Sequence, residues 1–243
     1  VMTRVRMASA MPAGEAPTVR VQDVRGAAFA QNVRENYKPV TEEMLANPPE
    51  GEWLMWRGDR FNSGYSKLKQ INKETVGNLQ LAWAWPMAEA GIQETVPLIH
   101  DGVMFLQTNN NIVEALDAKT GDLIWTYRHV LAEIPASWSY QANQARRQKN
   151  SIALTGDKVV LTTADAKIVV LNAADGKVVW EKQVLDYQKG YSYTVGPIIV
   201  KDKIISAISG CSIAGTAGGC FILAHDLNTG EELWRFNTID DPD

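Results

Sequence analysis

Three features of this sequence predict an all-β fold of stacked, four-stranded antiparallel sheets. The first is a repeat. Ala115-Leu116-Asp117-Ala118-Lys119-Thr120-Gly121-Asp122-Leu123-Ile124-Trp125 matches Ala224-His225-Asp226-Leu227-Asn228-Thr229-Gly230-Glu231-Glu232-Leu233-Trp234, and Val170-Leu171-Asn172-Ala173-Ala174-Asp175-Gly176-Lys177-Val178-Val179-Trp180 is a weaker copy between them. The second is a series of short β-branched segments separated by turn signals, clearest from Ser151 to Val184. The third is the near-constant spacing of Trp125, Trp180 and Trp234, which closes each unit with a tryptophan. One four-stranded unit cannot bury both faces of its sheet, so units of this kind must stack, as the blades of a β-propeller do. A chain of 243 residues with these copies is expected to be an incomplete propeller, too short for a whole ring.

Residues 1–50 lack strand alternation and hold Pro12, Pro17, Pro39, Pro48 and Pro49. They read as an N-terminal arm that wraps the rest or stays loose. A short helix is predicted within it over Glu42–Ala46, with Thr41 as N-cap and Glu42 and Glu43 suiting the positive helix end. Asn47-Pro48-Pro49 stops it, because the residue before a proline is pushed out of the helical region. A second helical turn is predicted over Lys73–Val76, capped by Asn72 and ended by Gly77.

Residues 51–243 form the partial propeller, an opening segment followed by about three blades, with strands from about Gln80 onward. In its clearest stretch, Ser151–Leu154, Lys158–Thr163, Lys167–Leu171 and Lys177–Val184 are joined by tight turns into a meander. Each part of the repeat has a physical task. The Asp or Asn caps the turn through its own backbone, and the Gly takes the positive φ that the hairpin requires. The tryptophan lies on the outermost strand, where its ring can pack on the next blade and its N–H can reach a backbone carbonyl. Met104, Trp83, Trp85 and Phe105 fit core or inter-blade packing.

Composition excludes several function classes. The chain is 45% hydrophobic and 21% charged, with a net charge of −4, so it has no basic footprint for nucleic acid or anionic lipid. No apolar run approaches the roughly 18–20 residues of a membrane-spanning helix. Val1 to Glu15 carry Arg4 and Arg6 but no continuous apolar stretch, so a signal peptide was removed, lies upstream or never existed. Cys211 and Cys220 are the only cysteines, and their region cannot supply the four ligands of a zinc site. A disulfide closing the Gly-rich loop, which would indicate an oxidising compartment, and two buried thiols both remain open. The chain has no Cys-x-x-Cys-His for a c-type haem. His100, His129 and His225 are expected to be surface polar residues near turns.

The repeat resembles the tryptophan-docking motif of the eight-bladed pyrroloquinoline quinone (PQQ) dehydrogenases, which include methanol dehydrogenase and other quinoprotein alcohol dehydrogenases. Further segments share the likeness: Trp53-Leu54-Met55-Trp56-Arg57, Gly64-Tyr65-Ser66, Leu68, Ile71-Asn72, Val76-Gly77-Asn78-Leu79, and Gln93-Glu94-Thr95-Val96-Pro97-Leu98-Ile99-His100-Asp101-Gly102-Val103-Met104-Phe105. The resemblance covers about residues 37–243, roughly the N-terminal half of a family member. It implies that Glu94 hydrogen-bonds PQQ, that Thr194 and Ser209 contact it, and that the backbone approaches it at Cys211.

Three departures stand out. Where methanol-oxidising members place adjacent cysteines, this chain reads Asn143-Gln144-Ala145-Arg146-Arg147. The arginine expected before the Ile-Ala strand is Asn150, with Arg147 or Lys149 placed to take over its contact. The usual calcium-binding Glu aligns with Ser212, and a hydroxyl is a poor exchange for a carboxylate on a hard dication. Calcium or another cation therefore lacks its usual ligand here.

By resemblance, the protein oxidises a small alcohol by hydride transfer to PQQ and passes electrons to a cytochrome c or a quinone. The family's catalytic Asp, the aromatic floor beneath PQQ and further cation ligands fall beyond residue 243, so no catalytic residue is named within this span. The implied compartment is the periplasm, and the implied partner is the remainder of the propeller. A non-enzymatic propeller for protein binding or outer-membrane assembly is the alternative. It would need no cofactor, so Glu94, Thr194 and Gly210-Cys211 discriminate between the two.

Overall fold

The computed structural model of the protein describes residues 27–87, 94–131, 151–209 and 220–238. They form three four-stranded antiparallel sheets, each a meander in chain order. The first holds β1 (Leu98–His100), β2 (Val103–Thr108), β3 (Ile112–Asp117) and β4 (Leu123–Arg128). The second holds β5 (Ala153–Thr155), β6 (Lys158–Thr162), β7 (Lys167–Asn172) and β8 (Val178–Gln183). The third holds β9 (Ile198–Val200), β10 (Lys203–Ala207), β11 (Phe221–Asp226) and β12 (Glu232–Asn237).

Two apolar layers join the sheets. Phe105, Val113, Ala115 and Tyr127 of the first sheet meet Leu154, Val159, Leu161, Val169 and Leu171 of the second. On its other face the second sheet offers Val160, Ile168 and Val170 to Tyr193, Ile204, Phe221 and Leu223 of the third segment. The alternation along β7, with Val169 and Leu171 facing one way and Ile168 and Val170 the other, is what a strand buried on both faces requires.

The repeat explains how the sheets are keyed together. Ala115 pairs with Trp125, Val170 with Trp180 and Ala224 with Trp234, and each pairing is followed by the same β-bulge. The Trp125 indole N–H donates to the Ala173 carbonyl at 2.9 Å, and the Trp180 indole N–H donates to the Leu227 carbonyl at 3.0 Å. In both cases the acceptor is the residue just after the turn-capping Asn172 or Asp226 of the next sheet. Trp83, in the opening segment, makes the same bond to the Ala118 carbonyl at 3.2 Å. Each glycine of the motif has positive φ, 74° at Gly121, 73° at Gly176 and 70° at Gly230. Each is also the seat of an indole: a Cβ on Gly176 would lie 2.6 Å from the Trp125 ring, and one on Gly121 would lie 2.6 Å from Trp83. Trp125 is wholly buried, whereas Trp234, which no further sheet covers among the described residues, is 44% exposed.

Before the sheets lie α1 (Ala27–Asn36) and α2 (Glu42–Ala46). The expected Thr41 cap is present, its Oγ1 accepting the Met44 N–H at 3.2 Å. α1 was not anticipated; it buries Ala30 and Val33 in the first apolar layer and packs against β4. The chain then ties itself to two sheets, Val40 exchanging backbone bonds with Gly156 and Trp53 with Ile99. The predicted turn at Lys73–Val76 is displaced: Asn72 Oδ1 accepts from Glu74 and Thr75 N–H, but the short 3-10 helix is Val76–Asn78 and contains Gly77. Among the described residues no helix is long and apolar enough to cross a membrane.

Candidate functional site

In each meander the innermost strand begins at the end of the sheet where the second strand stops. This topology places Glu94 before β1, Ser151 before β5 and Thr194 before β9, beside the ends of β2, β6 and β10. At the third sheet the two strands' extensions are joined. Ser192 and Ser209 exchange backbone bonds of 3.0 and 2.8 Å, and the Thr194 and Ser209 hydroxyls lie 2.7 Å apart. These two expected site residues, 15 positions apart in sequence, thus form one half-buried hydroxyl pair. The pair contains two protons, and its mutual bond uses one, leaving one donor and several lone pairs for a ligand.

The backbone carrying Thr194 is pressed against the second sheet. A Cβ on Gly196 would collide with the Ser151 carbonyl oxygen, so only glycine allows this approach. Thr162 Oγ1 donates to the Val195 carbonyl at 2.8 Å, and Tyr193 N–H donates to the Thr163 carbonyl at 3.2 Å. Next to Thr163 lies a buried polar chain. The Thr163 hydroxyl donates to Asp165 Oδ1 at 2.6 Å, His129 Nε2 lies 3.0 Å from the same oxygen, and the Tyr127 hydroxyl lies 3.2 Å from His129 Nδ1. Burial alone would push the Asp165 carboxyl up, but the bonds from His129 and Thr163 outweigh it and hold the group below its ordinary value.

Glu94 is exposed, and no bond joins it to the Thr194–Ser209 pair among the described residues. Beside it the first sheet carries buried polar atoms without hydrogen-bond partners among the described residues: Thr95 Oγ1 and both side-chain polar atoms of Gln107 and of Asn111. Each such orphan costs about 1–3 kcal/mol. An end that retains them, with the hydroxyl pair of the third sheet, suits a ligand rich in polar oxygens. Among the described residues no group of three or more His, Cys, Asp or Glu side chains could hold a metal ion.

Arg147, Cys211 and Ser212 lie outside the described residues. The Cys211–Cys220 pairing does so as well, although Cys220 is not a free cysteine. The histidines correct the surface expectation: His100 and His225 are 1% exposed and His129 is 6% exposed. They sit near turns in sequence, but each lies in a contact layer. His100 Nδ1 faces Glu52 Oε2 at 2.8 Å and its Nε2 faces the Lys38 carbonyl at 2.6 Å, while both ring nitrogens of His225 are buried without partners among the described residues. Nothing in the sequence marks Thr162, Thr163 and Asp165, whose residue types signal only a strand end and a turn.

A family model described as "PQQ: Glucose/ethanol/alcohol dehydrogenase, beta-propeller domain" matches residues 53–243. The quinohemoprotein alcohol dehydrogenase ADH IIB of Pseudomonas putida is 35% identical over 189 residues, covering 78% of this chain and 26% of its own length. The quinoprotein ethanol dehydrogenase of Pseudomonas aeruginosa is 35% identical over 206 residues, covering 81% of this chain and 32% of its own. A solved europium-containing methanol dehydrogenase superposes with a TM-score of 0.69 at 29% identity, over 80% of this chain and 33% of that one. The chain thus spans between a quarter and a third of the curated relatives it matches.

Proposed function

This chain belongs to the PQQ β-propeller family of glucose, ethanol and alcohol dehydrogenases, and from that membership we propose that it supplies part of the cofactor cradle of a quinoprotein that oxidises a small alcohol. When bound, PQQ offers a quinone carbon that accepts the hydride of the alcohol. The chain's own residues bind and orient. The Thr194 and Ser209 hydroxyls, already bonded to each other, direct their remaining proton at a cofactor carboxylate or carbonyl. Glu94 and Arg147 add hydrogen bonds and charge, and Cys211 adds a backbone contact to the cofactor.

In this reading the base that takes the hydroxyl proton comes from residues outside 1–243. Calcium or another cation, if bound, is held chiefly by side chains other than Ser212. The same reading makes it a periplasmic protein with a Cys211–Cys220 disulfide, a cytochrome c or quinone as electron acceptor and the rest of the ring as structural partner.

The observation that carries the proposal is the 2.7 Å hydroxyl pair at the end where the inner strands begin. Titration of the protein with PQQ, followed by quenching of its intrinsic fluorescence, tests it. Thr194→Val combined with Ser209→Ala is expected to weaken binding at least tenfold. Equal affinity in the double variant would remove these residues from the cofactor site. Absence of PQQ binding by the unsubstituted protein would favour a scaffold propeller instead.

A further inference from the structure

The hydroxyl pair depends on a segment that the third sheet does not hold alone. Two consecutive residues at the end of β6 grip the backbone on either side of Thr194, Thr163 through its carbonyl to Tyr193 N–H and Thr162 through its hydroxyl to the Val195 carbonyl. Thr162 is 1% exposed and Thr163 wholly buried. Thr163 is itself fixed, since its hydroxyl accepts the Lys167 N–H at 3.0 Å while donating to Asp165. Asp165 is fixed in turn by His129, at side-chain exposures of 4% and 3%.

The chain Tyr127–His129–Asp165–Thr163 therefore runs from the exit of β4, through the β6–β7 turn, to the strand extension that carries Thr194. A tight turn does not need a buried carboxylate and imidazole. The matching turn of the first sheet, Asn109–Asn111, is built without a charged residue. Keeping a buried carboxylate, even a hydrogen-bonded one, usually costs more than an apolar replacement would. Its place in this turn calls for a reason beyond turn formation.

We propose that Thr162, with Thr163 and the Asp165–His129 pair behind it, is a positioning clamp that sets the direction of the Thr194–Ser209 hydroxyls toward the cofactor. The inference rests on the PQQ reading of that site and names residues that do not themselves touch the ligand. Thr162 acts through the Val195 carbonyl. Asp165 acts through Thr163, by holding the peptide that accepts from Tyr193. Together they hold the backbone one residue out on each side of Thr194, and so the direction of its Cα–Cβ bond relative to Ser209.

The test uses the whole protein and PQQ itself. Thr162→Val keeps the shape and deletes the hydroxyl, Thr162→Ser keeps the hydroxyl and deletes the methyl, and Asp165→Asn removes the charge behind Thr163. The readouts are the Kd for PQQ by fluorescence quenching, the absorption spectrum of the bound cofactor and the thermal midpoint without cofactor. Thr162→Val and Asp165→Asn are expected to weaken PQQ binding about tenfold and to shift its bound spectrum. Thr162→Ser is expected to bind within about twofold of the parent with the parental spectrum, whatever its thermal midpoint. If Thr162→Val binds PQQ with parental affinity and spectrum while Thr194→Val does not, the clamp is wrong and the cofactor site stands. If Thr162→Ser fails as badly as Thr162→Val, the residue is structural and the clamp is again overturned. If the unsubstituted protein binds no PQQ, both readings fall.

Discussion

His225 occupies the place that Leu116 and Leu171 hold in the first two sheets, just past the bulge of the third strand. The repeat specifies a leucine there because the position faces the preceding sheet, and the imidazole inherits that apolar surrounding without a hydrogen-bond partner among the described residues. Burial pushes its pKa below 6.5. A depressed histidine contributes stability above about pH 6.5 that is lost as pH falls through its folded value. Restoring the repeat with His225→Leu is expected to stabilise the protein by about 1–3 kcal/mol, the usual cost of an unpaired buried polar group, and to flatten its acid sensitivity. Thermal unfolding at pH 5 and pH 8 measures both.

His100 behaves in the opposite way. Its two nitrogens face a carboxylate and a carbonyl, so only the doubly protonated ring donates to both. Burial alone would lower its pKa, but the bonds to Glu52 and Lys38 outweigh it and raise the value above 6.5. Its stabilisation is present below pH 6.5 and is lost as pH rises through the folded value. Glu52→Gln is expected to cost about 1.5–3 kcal/mol near pH 6 and much less on the alkaline side, read from urea unfolding at the two pH values. Neither environment was legible in sequence, because a histidine next to a turn looks the same whether its strand end faces water or a neighbouring sheet.

Among the elements, the hairpins and α2 were legible and α1 was not. Asp or Asn, then Gly, then Trp is a local code, and its turn forms from residues within one hairpin. The second task of the glycine, to make room for an indole arriving from the preceding sheet, is non-local and could not be read from any one copy. Gly176→Ala is therefore expected to cost more than a positive-φ alanine alone. About 1–2 kcal/mol comes from the backbone and about 1–3 kcal/mol from the overlap with Trp125. Chemical denaturation would show a smaller loss if the ring can move aside. Trp125→Ala should cost about 3–5 kcal/mol, as for other wholly buried large aromatics. α1 escaped notice because Ala27–Asn36 has no acidic first turn and buries only Ala30 and Val33, too faint an apolar stripe to stand out. The candidate site was half legible. Thr194 and Ser209 are singled out by a family likeness, while the bonds from Thr162 and Thr163 join two sheets and leave no mark in either stretch of sequence.

The molecule as a whole buries its sheets unequally. The inner strands of the first and second sheets are buried and only Val178 and Val179 of β8 stand out, whereas Ile198, Val200, Leu233, Trp234 and Phe236 of the third are exposed. A polypeptide of residues 1–243 on its own is expected to self-associate through that apolar face, as sedimentation would show. It is also expected to give no dye reduction with primary alcohols in the presence of PQQ and calcium. Turnover that required both PQQ and an alcohol would place the proton-abstracting group within this span, against the function proposed for it. The direction of the tryptophan bonds bears on synthesis as well. Trp125 precedes its acceptor Ala173 by 48 residues and Trp180 precedes Leu227 by 47, so every indole leaves the ribosome before its seat exists. At roughly 5–20 residues per second, each newly made sheet waits several seconds with an unsatisfied ring at its rim. Translation thus closes the stack like a ratchet, one tooth per sheet, always from the N-terminal side.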